Sequence, residues 1–314
     1  MKKTYHFLQL FSIVILVELL FTALLGGVSF GYLYDAEADA LPFPHVIIIL
    51  FALMVISTIG TIIYVCVKAE NVGVSHIKKT NKFILFADAF AVIMMLTFFI
   101  YECVTSMTHL DDTNATKATI FFRVLRWIIS IPALGYFVFQ ALPKKIKRIK
   151  IAIPTFLKAI TSVSVILWCI LGVFTTYFAT HLTTPGDVTK ISMMFVYAIF
   201  ALFFILEGEF ELIRTRHKPY MISAFVASVF AFAFPFGISI AKIFRSDMVR
   251  DALSQPELVT CVAIGIYSLA KMFALVSTMK LVIENRHGSH SSRRHSSTKS
   301  APADSEEAPV DVAE

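Results

Sequence analysis

Eight stretches of this chain are long and apolar enough to cross a bilayer, and they constrain the fold more than any motif does. They lie near residues 7–31, 45–68, 82–105, 119–143, 156–180, 190–213, 219–244 and 258–283. A spanning helix needs about 20 predominantly apolar residues. With 57% hydrophobic residues, 16% charged and 30 phenylalanines in 314 residues, the chain reads as a polytopic all-α membrane protein rather than a soluble enzyme.

The charges between the spans set an orientation, because Lys and Arg collect on the cytoplasmic side. Lys68, Lys78, Lys79 and Lys82 mark one such loop, PKKIKRIK (143–150) a second, and Arg214, Arg216 and Lys218 a third. The alternate loops carry DAEADA (35–40), HLDD (109–112) and RSDMVRD (245–251), and Asn114 opens a glycosylation sequon that faces outward on this topology. The formal charge of +6 is therefore topological and implies no nucleic-acid partner. The hint from sequon and tail is a plasma-membrane or endomembrane location with a cytoplasmic C-terminus.

The first apolar run reads either as a retained helix or as a signal peptide behind Met1, Lys2 and Lys3. Its length and Glu18 in its middle favour the retained helix. Cys66, Cys103, Cys169 and Cys261 show no metal-ligand spacing and read as small apolar residues; Cys103 and Cys261 share an end of the bundle, which leaves one disulfide open. Residues 286–314 are polar, first basic and then acidic, and read as a disordered cytoplasmic tail. Ser296 and Ser297 there are either phosphorylation acceptors or part of a solvated tail.

Within the spans, Lys271 lies deep in the last one, halfway along LVTCVAIGIYSLAKMFALVSTMK (258–280), where its amine has no route to water by snorkelling. A desolvated amine condenses with aldehydes; the ordinary alternative is a structural ion pair, although its own helix offers no carboxylate nearby. The fourth span carries Arg123 and Arg126 one turn apart, and a charge near the bilayer centre costs roughly 3 kcal/mol or more, so such residues face a bundle interior or a water-filled cavity.

These features together resemble the microbial (type I) rhodopsin family over about residues 43–285. FALMVISTIGTIIYVCVKAENVGVSHIKKTNKFILF (51–86) is similar to that family's first helix and following loop, RVLRWIISIP (123–132) to its third helix, FAFP (232–235) to its sixth, and SLAK (268–271) to the end of its seventh. The resemblance implies a seven-helix bundle with one extra helix in residues 1–42. It implies all-trans retinal held as a Schiff base on Lys271, and a pocket of Trp127, Ser130, Pro132, Phe234 and Pro235, each of which reads otherwise as packing or a helix kink.

The family's proton pumps carry carboxylates where this chain has Arg126, Tyr267 and Phe137. Two positive charges about 4 Å apart repel by roughly 4 kcal/mol at an effective dielectric near 20, so Arg126 beside a protonated Schiff base needs an answer. Either the Schiff base is neutral, or a bound chloride balances it, or Glu102 or another helix supplies a carboxylate. Asp88 is a candidate proton relay or a structural hydrogen-bond partner, and Glu207, Glu209 and Glu211 read as a solvated helix end.

The implied function is a retinal photoreceptor with sensory output or passive anion flux rather than pumping, and no enzyme. Its output would pass to a separate signalling partner in or beside the bilayer, or to an ion current; a homo-oligomer is open. An opsin-like scaffold or chaperone without photochemistry is the alternative from another class, and a G-protein-coupled receptor is weaker for want of an Asp-Arg-Tyr or Asn-Pro-x-x-Tyr motif.

Overall fold

In a computed structural model the described residues are 2–31, 44–68, 82–108, 117–142, 145–146, 149–150, 154–179, 188–213, 217–244 and 254–295. Asn114 and residues 296–314 fall outside them. Each apolar stretch forms a helix: α1 (Lys2–Gly31), α2 (Pro44–Lys68), α3 (Lys82–Thr108), α4 (Lys117–Ala141), α5 (Thr155–Ala179), α6 (Val188–Ile213), the pair α7 (His217–Ala233) and α8 (Pro235–Phe244), and α9 (Gln255–His295). Between α4 and α5 two dipeptides, β1 (Lys145–Ile146) and β2 (Ile149–Lys150), pair antiparallel.

Among the described residues six stretches are long and apolar enough to cross a membrane: Phe83–Thr105, Ile120–Ala141, Thr155–Phe178, Lys190–Glu211, Lys218–Ile240 and Gln255–Leu275. That is the build of an integral multi-pass membrane protein. The apolar parts of α1 and α2 described in side-chain detail, Ile13–Ser29 and Ala52–Tyr64, are shorter. The last helix runs on to His295, into the segment read as disordered tail. Extending a formed helix needs no new nucleus, and no proline interrupts α9 beyond Pro256.

The spanning helices form a closed ring in which α3, α4, α5 and α6 pack in chain order, α6 meets α7, and α9 lies against α7, α8 and α3. Small residues set the closing contact: Ala87 on α3 and Ala270 and Ala274 on α9 cluster with Ile84. The Thr260 hydroxyl reinforces it by donating to the Met94 carbonyl at 3.0 Å.

Helices α3 and α9 therefore meet directly, and α2 packs on α1 and α7 rather than taking a ring position of its own. Met54, Thr58 and Thr61, spaced along one narrow stripe, are buried on α2, whereas Ile49, Leu53, Val55, Ile56, Ile59 and Ile63 are exposed. Glu18, buried on α1, accepts hydrogen bonds from the hydroxyls of Ser57 and Thr58 on α2. That bond pair accounts for the acidic residue noted in the first apolar run and fastens α1 to α2.

Helix α1 packs on the outside of the ring against α7 and α8, where glycines permit backbone-to-backbone approach. A side chain at Gly26 would collide with the carbonyl of Ala233, and one at Gly237 with the backbone of Gly26. The break between α7 and α8 follows from Pro235, which has no N–H to offer the carbonyl one turn earlier. Flanking bonds from Phe234 N to Phe230 O (3.1 Å) and from Ile238 N to Phe234 O (2.8 Å) carry the helical path across it.

Candidate functional site

Among the described residues two charged centres lie inside the ring, at separate depths. The first is built around Lys271, 7% exposed. Its Nζ lies 3.3 Å from Glu207 Oε1 and donates to Gln140 Oε1 at 3.1 Å. The Tyr267 hydroxyl donates to the same Glu207 oxygen at 2.9 Å, and Tyr220 does so at 3.3 Å. Tyr136 approaches the Tyr267 hydroxyl at 3.4 Å, and Gln140 Nε2 donates to Glu211 at 3.0 Å.

Asp88 on α3, itself buried, acts electrostatically on the same ammonium, as does Glu211. Aromatic rings wall the centre: the Tyr267 ring lies 4.9 Å from Nζ and packs edge-on against Phe137 and Phe203, with Phe204 beside them. Glu207 Oε2 is buried without a hydrogen-bond partner.

Glu207 corrects the sequence reading, which placed it in a solvated helix end; it is 1% exposed, while Glu211 stays on the exposed side. The alternate spacing of Glu207, Glu209 and Glu211 does keep the three off one face, and this frees Glu207 to point inward. It extends the buried stripe Met193, Val196, Tyr197, Phe200, Phe203 and Phe204 at helical spacing. That stripe was the available signal. No signal on α9 could have revealed the pairing, because the partner of Lys271 comes from another helix.

The second centre holds Arg126, 5% exposed. Its Nη1 donates to Glu257 Oε1 at 2.7 Å and to Thr175 Oγ1 at 3.3 Å, and its Nη2 donates to the Tyr197 hydroxyl at 2.7 Å. Tyr197 in turn donates to Glu257 Oε1. The guanidinium carbon sits 4.5 Å from the Trp168 ring, 4.8 Å from Tyr197 and 5.0 Å from Phe98, so aromatic faces enclose the charge.

Glu257 arrives from the first turn of α9, where Ser254 Oγ caps its N–H at 3.3 Å and the helix dipole favours an acid. One turn back along α4, Arg123 is 44% exposed and pairs with Glu102 at 3.7 Å. Glu102 lies within electrostatic reach of Arg126 and Glu257. Sequence reasoning singled out Arg126, Arg123 and Glu102 but missed Glu257, Tyr197 and Trp168.

The two centres share a register. Arg126 with Glu257, Tyr136 with Tyr267, and Gln140 with Lys271 are each 131 residues apart, so α4 and α9 run parallel without slippage. Fourteen residues separate Arg126 from Gln140, about 21 Å at 1.5 Å per residue. The expectation that Arg126 faces the amine of Lys271 is thus corrected: Glu257 neutralises Arg126 at one depth and Glu207 meets Lys271 at another. Tyr267 lies at the lysine, its ring 4.9 Å from Nζ.

The pocket residues carried over by resemblance do not surround Lys271. Trp127, Ser130 and Pro132 precede Gln140 by 13 to 8 residues, roughly 20 to 12 Å along α4. Trp127 stacks on Phe99, and Ser130 donates to the Arg126 carbonyl. On α7, Ser228 bonds the Gly265 carbonyl and the Ser268 hydroxyl, so Phe234 and Pro235, farther along, lie toward the Arg126 depth. The cysteines Cys103, Cys169 and Cys261 are free, so the disulfide left open between Cys103 and Cys261 is not formed.

A buried amine with a carboxylate beside it can hold an aldehyde, and an enclosed guanidinium can hold an anion. No protein-family model, no curated protein and no solved structure matches this chain.

Proposed function

We propose that this chain is a retinal-binding membrane photoreceptor in which Lys271 holds the chromophore and Glu207 is its counterion. The observation that carries the reading is the placement of Lys271: an amine enclosed by the ring, 3.3 Å from a carboxylate that comes from a different helix. The residues present fit the head of such a group. Glu207 keeps one oxygen free of hydrogen bonds, and Tyr136, Phe137, Phe203, Phe204 and Tyr267 supply apolar and aromatic walls for a polyene. Retinal, when bound, would supply light-driven isomerisation.

The chain's own residues hold the charge. Glu207 offsets the positive charge on Lys271, Tyr267 and Tyr220 orient that carboxylate through their hydroxyls, and Gln140 holds the amine from the α4 side. A carboxylate supplied by another helix favours this answer to the counterion question over a chloride beside Arg126, because Glu257 already occupies the front of that guanidinium. With Arg126, Tyr267 and Phe137 at the family's pump positions, we read the output as sensory, or as passive anion flux, rather than as pumping. We place the C-terminus on the cytoplasmic side and the signal in a separate partner.

One observation favours a second reading, a scaffold or chaperone without photochemistry. The ammonium of Lys271 is already bound by Glu207 and Gln140, and Phe137 and Phe203 pack edge-on against Tyr267, as they would around a purely structural ion pair.

Absorption of the purified protein incubated with all-trans retinal separates the two. The photoreceptor reading expects a retinal-linked band that Lys271→Ala abolishes and Glu207→Gln displaces, and that is insensitive to chloride removal. A parent protein without such a band refutes it; a band unmoved by Glu207→Gln refutes Glu207 as counterion.

A further inference from the structure

The Arg126 centre has more donors than acceptors, and this imbalance is independent of any chromophore at Lys271. Arg126 Nε and Trp168 Nε1 are both buried and both lack a hydrogen-bond partner. They belong to stacked groups, since the guanidinium carbon lies 4.5 Å from the Trp168 ring. The acceptors around the guanidinium are few: Glu257 Oε1 receives both Arg126 Nη1 and the Tyr197 hydroxyl, the Tyr197 oxygen receives Nη2 at 2.7 Å, and Thr175 Oγ1 receives Nη1 at 3.3 Å. The centre is built to receive negative charge and holds one carboxylate.

The carboxylate is delivered differently from the donors. Arg126, Thr175, Trp168, Tyr197 and Phe98 come from the middle or far parts of long helices α3 to α6, whereas Glu257 sits in the first turn of α9. A side chain at a helix start can swing away without unpacking the helix behind it. Were it to do so, Arg126 would keep its charge inside an aromatic enclosure, and a buried charge that loses its partner is strongly disfavoured until another replaces it. The Arg123–Glu102 pair, with Arg123 partly exposed, lies one turn nearer the surface.

We propose that Arg126, Tyr197, Thr175 and Trp168 form a binding site for a small monovalent anion, and that Glu257 is its tethered occupant, displaced when the diffusible anion binds. Glu257 keeps the site closed by supplying the same chemistry as the ligand.

The test titrates the full chain in detergent with iodide at constant ionic strength, reading tryptophan fluorescence in a Trp127→Phe background so that Trp168 is the one indole observed. Removing the tethered carboxylate by Glu257→Ala, or neutralising it at nearly the same size by Glu257→Gln, is expected to produce a saturable quenching component. Its apparent affinity should be at least tenfold tighter than in the parent, formate should compete with it, and Arg126→Met in the same chain should abolish it. Purely linear quenching in both Glu257 variants, each with parental helical content and a monodisperse profile, overturns the proposal. So does an equally tight saturable component in the parent, or one that survives Arg126→Met.

Discussion

The pairing of Lys271 with Glu207 can be measured by a double-mutant cycle. At 3.3 Å the attraction between the two charges is about 5 kcal/mol at an effective dielectric near 20, and desolvation of both ions returns a good part of it. Lys271→Met strands the carboxylate, which still accepts from Tyr267 and Tyr220, so the cost should fall at the low end of roughly 3–5 kcal/mol. Glu207→Gln leaves the ammonium on Gln140, with Asp88 and Glu211 still in reach, and should cost about 2 kcal/mol. In the double variant neither member of the pair is left facing an absent partner, so the loss should be little more than that of the worse single, a coupling of a little under about 2 kcal/mol. Reversible unfolding of the full chain in mixed micelles, followed by helical circular dichroism, gives all four corners. Losses that add to within about 0.5 kcal/mol would show that the two side chains do not meet.

Other expectations concern the helix contacts. Gly26→Leu should push α1 off the α7–α8 junction and cost about 1–3 kcal/mol through overpacking; thermal unfolding reads the loss, and disulfide trapping between cysteines placed at Gly27 and Ile240, whose side chain would lie in contact with one at Gly27, should fail in that variant. Glu18→Ala removes the acceptor of the Ser57 and Thr58 hydroxyls and should lower stability by about 1–2 kcal/mol, with faster protease cutting between α1 and α2 as the readout; an unchanged cutting rate contradicts the clamp. Arg126→Lys keeps the charge but not the fork that reaches Glu257 and Tyr197 together, so its melting temperature should lie nearer that of Arg126→Met than that of the parent.

The apolar runs were legible as helices because each is long; six of the eight are long and apolar enough to cross a membrane among the described residues, and the run at 219–244 is broken at Pro235. The ring was not legible: nothing in α2 read alone says that Ala87, Ala270 and Ala274 would bring α3 and α9 together and leave α2 at the periphery. Arg126 and Lys271 stood out because isolated charges in apolar runs do. Their partners were hidden for opposite reasons. Glu257 lies just before the last apolar run and drew no reading, and Glu207 looked solvated because two further acids follow it at alternate positions. In both cases the neighbours across the bundle, not those in sequence, decide the charge environment. The aromatic stripe of α6 carried the corrective hint, since Glu207 continues its spacing.

The shared offset between α4 and α9 limits how a change at one depth could be felt at the other. Three bridges of one offset, 10 and 4 residues apart along α4, hold the two helices in one register, so a piston stroke of α9 along its axis would strain all of them together. A tilt that pivots near Tyr136 and Tyr267, four residues from the Lys271 bridge and ten from the Arg126 bridge, would move the Arg126 end the farther. On these contacts a rock strains fewer bridges than a slide does, and Gly265, where an added side chain would collide with Ala231 on α7, lies two residues from that pivot on α9.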